Sequence, residues 1–142
     1  MPSNRVRSRP VPRKARKATY AGLKRKLDAV FSEWVRWSNP AKCVTCGAAH
    51  HRKRLQAGHF VSRVHLATRW DERNVHPQCM ACNVWKRGSP AEFSVFLTTK
   101  YGPNILQELV DLKHTSVKWS RSELEEKIEG YKARLARLGN SP

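Results

Sequence analysis

Two Cys-x-x-Cys pairs, Cys43-Val-Thr-Cys46 and Cys79-Met-Ala-Cys82, are the residues of this chain whose type and spacing most clearly announce chemistry. Thiolates at i and i+3 on a tight turn can reach one ion, and two such turns supply the four ligands at about 2.3 Å that structural zinc prefers. Four sulfurs close the coordination shell, so this zinc holds the fold and does no chemistry itself. Gly47, directly after Cys46, lets the first turn continue with its backbone close to the metal. Inside and just beyond the cysteine frame lie Gly58-His59, Asn74 and Asn83, which suit hydrolysis of a phosphodiester. In that reaction a water must lose a proton while negative charge builds on the phosphorus and on the departing 3′ oxygen. A neutral imidazole answers the first need and a divalent ion the second. His59, with an unperturbed pKa of about 6.5, is the candidate base. Asn83 follows Cys82 directly, so zinc ligation fixes its backbone, and its amide oxygen is a hard ligand suited to Mg²⁺ or Mn²⁺. Asn74 is assigned an orienting role, bracing the loop that carries His59. Arg63, Lys86 and Arg87 are candidate clamps on the scissile phosphate, and His65 and His76 are further candidate ligands or phosphate contacts.

The charge names the class of partner. Lys and Arg total 28 against 11 acidic residues, a formal charge of +17, which points to a polyanion, nucleic acid above all. No apolar run approaches the roughly 18 residues needed to span a bilayer, and no secretory signal is visible at the basic, Pro-rich N-terminus. A cytoplasmic setting is therefore expected, and there paired CxxC spacing favours metal over disulfide.

The elements that must position these residues are legible from periodicity. Residues 1–18 carry Arg13, Lys14, Arg16 and Lys17 among other cations and no acids, which predicts a disordered basic arm able to follow a phosphate backbone. From 19 to 40 an amphipathic helix is predicted, with Tyr20, Leu23, Leu27, Val30, Phe31, Trp34 and Val35 on one face and Lys24, Arg25, Lys26 and Arg36 on the other. Residues 41–88 form the cysteine-bracketed unit. In the helical region 89–142, Ser89-Pro90-Ala91-Glu92 reads as a capping box opening a helix that stops at Tyr101-Gly102-Pro103. Asn104 reads as the cap of the next segment, which ends near His114-Thr115. Ser120-Arg-Ser-Glu123 is a second capping box, followed by a narrow stripe of Leu124, Ile128, Tyr131, Leu135 and Leu138. Its partner is a helix of this chain or of a second copy.

The order Cys-x-x-Cys, Gly-His, Asn-Val-His, Cys-x-x-Cys-Asn is similar to that of the HNH, or His-Me finger, nucleases. The Lys42–Gly47, Ala57–Phe60 and Arg69–Cys79 segments, with the flanking helices, resemble the phage lambda NinG (Rap) recombination proteins over about residues 19–138. The resemblance implies an α+β, mainly helical fold in which a small ββα-metal module with a structural Cys₄ zinc is flanked by an N-terminal helix and C-terminal helices. It implies a phage-encoded, structure-selective endonuclease acting in the cytoplasm of a bacterial host, at the nucleoid, on branched DNA such as Holliday junctions and D-loops. By that match His59 is the general base, Asn83 the ligand of a catalytic Mg²⁺ or Mn²⁺, and Cys43, Cys46, Cys79 and Cys82 the zinc ligands. Many HNH enzymes carry Asp or His before the base as a second metal ligand, whereas this chain has Gly58. Resolving a four-way junction takes two symmetry-related nicks, so a homodimer is expected. The competing expectation is a zinc-dependent nucleic-acid-binding module without catalysis, which accounts equally well for the charge and the cysteines.

Overall fold

The computed structural model describes residues 14–139, so Arg13 lies outside the described residues. The chain runs through helix α1 (Tyr20–Ser38), a short 3₁₀ turn (Arg52–Arg54), strands β1 (Gln56–His59) and β2 (Val75–Gln78), a π-helical turn (Ala81–Trp85), and helices α2 (Pro90–Tyr101), α3 (Ile105–Lys113) and α4 (Arg121–Gly139). It is a small, mainly helical α+β fold.

Helix α1 starts where Thr19 Oγ1 accepts the Gly22 N–H at 3.0 Å and buries Leu23, Leu27, Val30, Phe31 and Val35. Each such side chain contributes about 1.5–3 kcal/mol on leaving water. The stripe of α4 packs on this face, with Leu124 and Ile128 in the core and Tyr131 set edge-on to Phe31 at 5.1 Å between ring centroids. The partner anticipated for α4 is therefore α1 of the same chain. Trp70 and Val75, from the segment between the cysteine pairs, join this core. A second core gathers Val61, Phe93, Leu97, Ile105 and Leu109 beneath α2 and α3.

The two strands pair antiparallel, with Gly58 opposite His76 and His59 opposite Val75. Pro77 is tolerated because the hairpin has an open edge, where its carbonyl accepts the Val44 N–H at 2.9 Å and ties the first cysteine turn to β2.

The cap signals met different fates. The Ser120–Glu123 box forms reciprocally, with the Ser120 N–H donating to Glu123 Oε2 at 2.6 Å and the Glu123 N–H to Ser120 Oγ at 3.1 Å. Ser89 makes no such bond: it sits at φ 45°, and its hydroxyl turns back toward the Cys82 carbonyl. The left-handed backbone before α2 points the side chain away from the helix it was expected to cap. Asn104 likewise occupies the cap position of α3 without a side-chain capping bond. Helix α2 stops as expected, with Gly102 at φ 98°, a conformation that favours glycine.

Candidate functional site

The four sulfurs of Cys43, Cys46, Cys79 and Cys82 all lie within 4.8 Å of one another. Tetrahedral zinc at about 2.3 Å from each sulfur requires about 3.8 Å between sulfurs, and Cys46 Sγ and Cys79 Sγ are 3.9 Å apart. The donor set and its spacing fit a structural zinc ion. Gly47 adopts φ 76°, so the turn after Cys46 uses the freedom that only glycine has cheaply. Burial opposes ionising Cys43, but the Thr45 hydroxyl and the backbone around Cys46 and Cys79 outweigh it and hold the thiol at about 6. The Ala48 backbone favours the thiolate of Cys46, yet burial and the neighbouring Cys43 and Cys82 sulfurs push it up to about 11. Only a cation among them lets all four ionise together.

On the hairpin, His59 is half-buried at the end of β1. Its Nε2 lies 2.9 Å from the Arg69 carbonyl oxygen. A carbonyl only accepts, so Nε2 carries the proton and the neutral ring keeps its lone pair on Nδ1. Burial lowers the pKa of His59, against the Arg69 and Ala57 carbonyls and the Asp28 carboxylate, which raise it. Burial therefore favours the neutral ring.

The carbonyl that aims this ring is itself anchored. Arg69 donates through Nε and Nη2 to Asp28 of α1, at 2.9 and 2.5 Å, and Trp70 Nε1 adds a third bond to the same carboxylate at 3.0 Å. Burial disfavours the Asp28 carboxylate, but its bonds to Arg69 outweigh that and lower its pKa. Asp28 and Arg69 position His59, and neither was anticipated. The available signal was an acid on the flank of the apolar stripe of a basic helix.

Asn74 is fully buried and spans the loop after His59: its Oδ1 accepts the Val61 N–H at 2.7 Å, and its Nδ2 donates to the carbonyls of Val61 at 2.9 Å and Thr68 at 3.1 Å. Asn74→Ala strands all three groups away from water and is expected to cost about 3 kcal/mol or more. A urea-unfolding midpoint equal to that of the unaltered chain would refute this.

Asn83, on the π-helical turn, donates from Nδ2 to Gln56 Oε1 at 2.7 Å. That bond turns its Oδ1 the other way, as an acceptor free for a hard cation. His59, Asn83, Arg63 and Arg87 line one cleft of about 440 Å³, together with Ala57, Phe60, Ser62 and Gly88. Lys86 is exposed next to Arg87 and does not line it. Lys14, Arg16 and Lys17 are exposed, with Lys17 beside Arg121 at the start of α4, away from the cleft. His76 does not line the cleft: it is 1% exposed, its ring meets Phe96 edge-on at 4.9 Å, and burial with the nearby Lys100 drives its pKa down to about 4. His65 sits in the turn after Ser62, outside the cleft.

The space next to Gly58 is filled by Gln78. A Cβ at Gly58 would stand 1.9 Å from Gln78 Oε1, and the Gln78 amide is fixed by donating to the Gly88 carbonyl at 2.8 Å and to Thr45 Oγ1 at 3.3 Å. Thr45 Oγ1 is in turn 3.1 Å from Cys43 Sγ, so the amide joins the cysteine cluster to the cleft wall. Gly58→Ala is expected to lower stability by about 1–3 kcal/mol through overpacking, read from the thermal midpoint, and an unchanged midpoint would refute the contact.

The family model described as Bacteriophage Lambda NinG protein matches residues 4–140. The protein ninG of Escherichia phage 933W is 30% identical over 100 residues, 70% of this chain and 49% of the relative. The protein ninG of Escherichia phage lambda is 29% identical over 100 residues, covering 70% of this chain and 48% of the relative, and that of Enterobacteria phage H19B is 31% identical over the same length, covering 70% and 49%. The chain thus spans about half the length of the curated relatives it matches. No solved structure matches it with significance. No helix among the described residues is long and apolar enough to cross a membrane.

Proposed function

Given that this chain belongs to the bacteriophage lambda NinG family, we propose that it is a metal-dependent endonuclease of the HNH type. Its substrates on this reading are branched recombination intermediates such as Holliday junctions and D-loops in the cytoplasm of a phage-infected host. The observation that carries the reading is the convergence of His59 and Asn83 with Arg63 and Arg87 on one cleft. A general base, a hard oxygen ligand and two phosphate-binding cations are the parts that hydrolysis of a phosphodiester needs.

His59 takes the proton from the attacking water through Nδ1, while the Arg69 carbonyl holds Nε2–H and keeps the ring aimed. Asn83 Oδ1, with water, would hold Mg²⁺ or Mn²⁺, and Gln56 keeps the amide oriented for it. Such an ion supplies Lewis-acid stabilisation of the charge that develops on the leaving 3′ oxygen. Arg63 and Arg87 bind the non-bridging oxygens of the phosphate. Because Gln78 fills the room beside Gly58, position 58 contributes no ligand and Asn83 carries the protein's share. A two-fold dimer would place two such clefts on the arms of a four-way junction.

The test is incubation of the zinc-loaded protein with supercoiled plasmid and with a labelled four-way junction, with Mg²⁺, with Mn²⁺ and with neither. Cutting that needs the added ion supports the enzyme. Tight binding without cutting in any ion overturns it and favours a zinc-dependent nucleic-acid-binding module.

A further inference from the structure

Trp85 is 74% exposed, at the end of a turn whose other outward side chains, Met80 and Val84, are 51% and 53% exposed. Tryptophan is seldom left so open, since its indole gains much from burial. The backbone beneath it is rigid. Cys82 of the cysteine cluster belongs to the same turn and Cys79 leads into it, the Lys86 N–H closes a wide π-helical bond to the Ala81 carbonyl at 2.9 Å, and the Asn83 N–H bonds the Cys79 carbonyl at 2.9 Å. Asn83 is thereby held toward Gln56 and the cleft while Trp85, two residues on, projects outward. Single-turn π widening of this kind is frequent at functional sites.

The two residues after Trp85 define the partner's chemistry. Lys86 and Arg87 are exposed, and no carboxylate pairs with either among the described residues. Arg87 stands at φ 51°, ahead of Gly88 at 87° and Ser89 at 45°. That left-handed run is locked by the Gly88 N–H to the Cys82 carbonyl at 2.8 Å and by Gln78 to the Gly88 carbonyl at 2.8 Å. Strain of this kind persists only where surrounding structure holds it, and here it turns Arg87 into the cleft. An apolar ring flanked by unpaired cations fits a ligand with a flat π-face joined to a phosphate. In a continuous duplex the base faces are covered by their neighbours, whereas at a branch they are open.

We propose that Trp85 is a stacking platform for an unstacked base at a DNA branch point, placed beside the cutting cleft so that branched DNA is preferred to linear duplex. The proposal rests on the nuclease reading for its substrate and deepens it. Stacking of a base on an aromatic side chain is sequence-tolerant and commonly changes affinity by tenfold or more.

The experiment uses the zinc-loaded full chain with Ca²⁺ as the only added divalent ion, a forked DNA carrying 2-aminopurine at its first unpaired position, and a continuous duplex of matching sequence. Binding of the fork quenches the 2-aminopurine fluorescence. Trp85→Ala abolishes the quench and raises the fork Kd about tenfold while the duplex Kd stays within about twofold, and Trp85→Phe restores most of the effect. Equal losses on fork and duplex, no loss on either, or lost self-association of Trp85→Ala with unchanged fork binding would each overturn the platform. A protein that quenches normally and never cuts would sink the catalytic reading and leave the platform standing, and one that cuts without quenching does the reverse.

Discussion

Withholding zinc from the four-cysteine cluster, or replacing Cys82 with serine, is expected to unfold the two cysteine turns of the segment from 41 to 88 and to disorder the cleft that Asn83 and Arg87 line beside them. The cluster around the two cysteine turns contains Cys43, Cys79, Cys82 and one larger apolar side chain, Leu55, with Ala81 at its edge. Trp70, Val75 and Val61 tie the hairpin and the loop after it into the two helical cores, but so little apolar burial at the cysteines themselves cannot offset the ordering of the two turns. Metal must supply the difference, and in small zinc-organised units it supplies about 10 kcal/mol, comparable to the whole stability of a domain. Cys82 has a further role, because its carbonyl accepts the Gly88 N–H at 2.8 Å and so sets the turn that presents Arg87. Zinc content by mass spectrometry should be one ion per chain in the unaltered protein and should fall well below one in Cys82→Ser. The thermal midpoint should drop by about 10 °C or more on chelation. Superimposable melts with and without chelator would remove zinc from the account altogether.

The sequence makes some of this arrangement legible and conceals the rest, for identifiable reasons. Local signals with one dominant partner came through: the stripe from Leu23 to Val35, the glycine stop at Gly102 and the reciprocal Ser120–Glu123 cap appear in their expected roles, and the paired cysteines gather into one cluster. The meeting of His59 and Asn83 in one cleft was legible because gathering the four sulfurs closes Cys43 onto Cys82 and leaves the chain between them few routes. Ser89 failed as a cap because the backbone leaving the cysteine turn is left-handed there, a tertiary demand that no four-residue pattern reveals. His76 was a further candidate ligand or phosphate contact beside the proposed base His59, and strand alternation separates the two. His59 pairs with Val75 and Gly58 with His76, so the two imidazoles lie on opposite faces of the hairpin, and His76 enters the aromatic core. The grip of Asp28 on Arg69 and the Gln78 amide against Gly58 join residues far apart in the chain and depend on register and crossing geometry that emerge only on folding. The unforeseen residues are those that aim the chemistry, whereas the groups proposed to perform it could be named in advance.

His59→Ala is expected to lower the cutting rate by about a hundred- to ten-thousandfold, the usual loss when a positioned general base is removed. Zinc content and junction affinity should not change, because the ring is only half-buried and its hydrogen bond to the Arg69 carbonyl is not what holds Arg69; Asp28 does that. The pH profile tests the same assignment from another direction. Burial lowers the pKa of His59, and only the neutral ring can take a proton from water. The rate should therefore climb with pH on the acid side, with its midpoint below the ordinary imidazole value of about 6.5, and level off above that midpoint. In His59→Ala the residual rate should lack that acid limb. Asn83→Ala provides the contrast: it should raise the Mn²⁺ concentration needed for half-maximal rate, whereas His59→Ala lowers the rate at every concentration and leaves that requirement in place. If the two variants respond identically to added metal, the division of labour between imidazole and amide is wrong. An undiminished rate in His59→Ala would assign the base to another residue of the cleft.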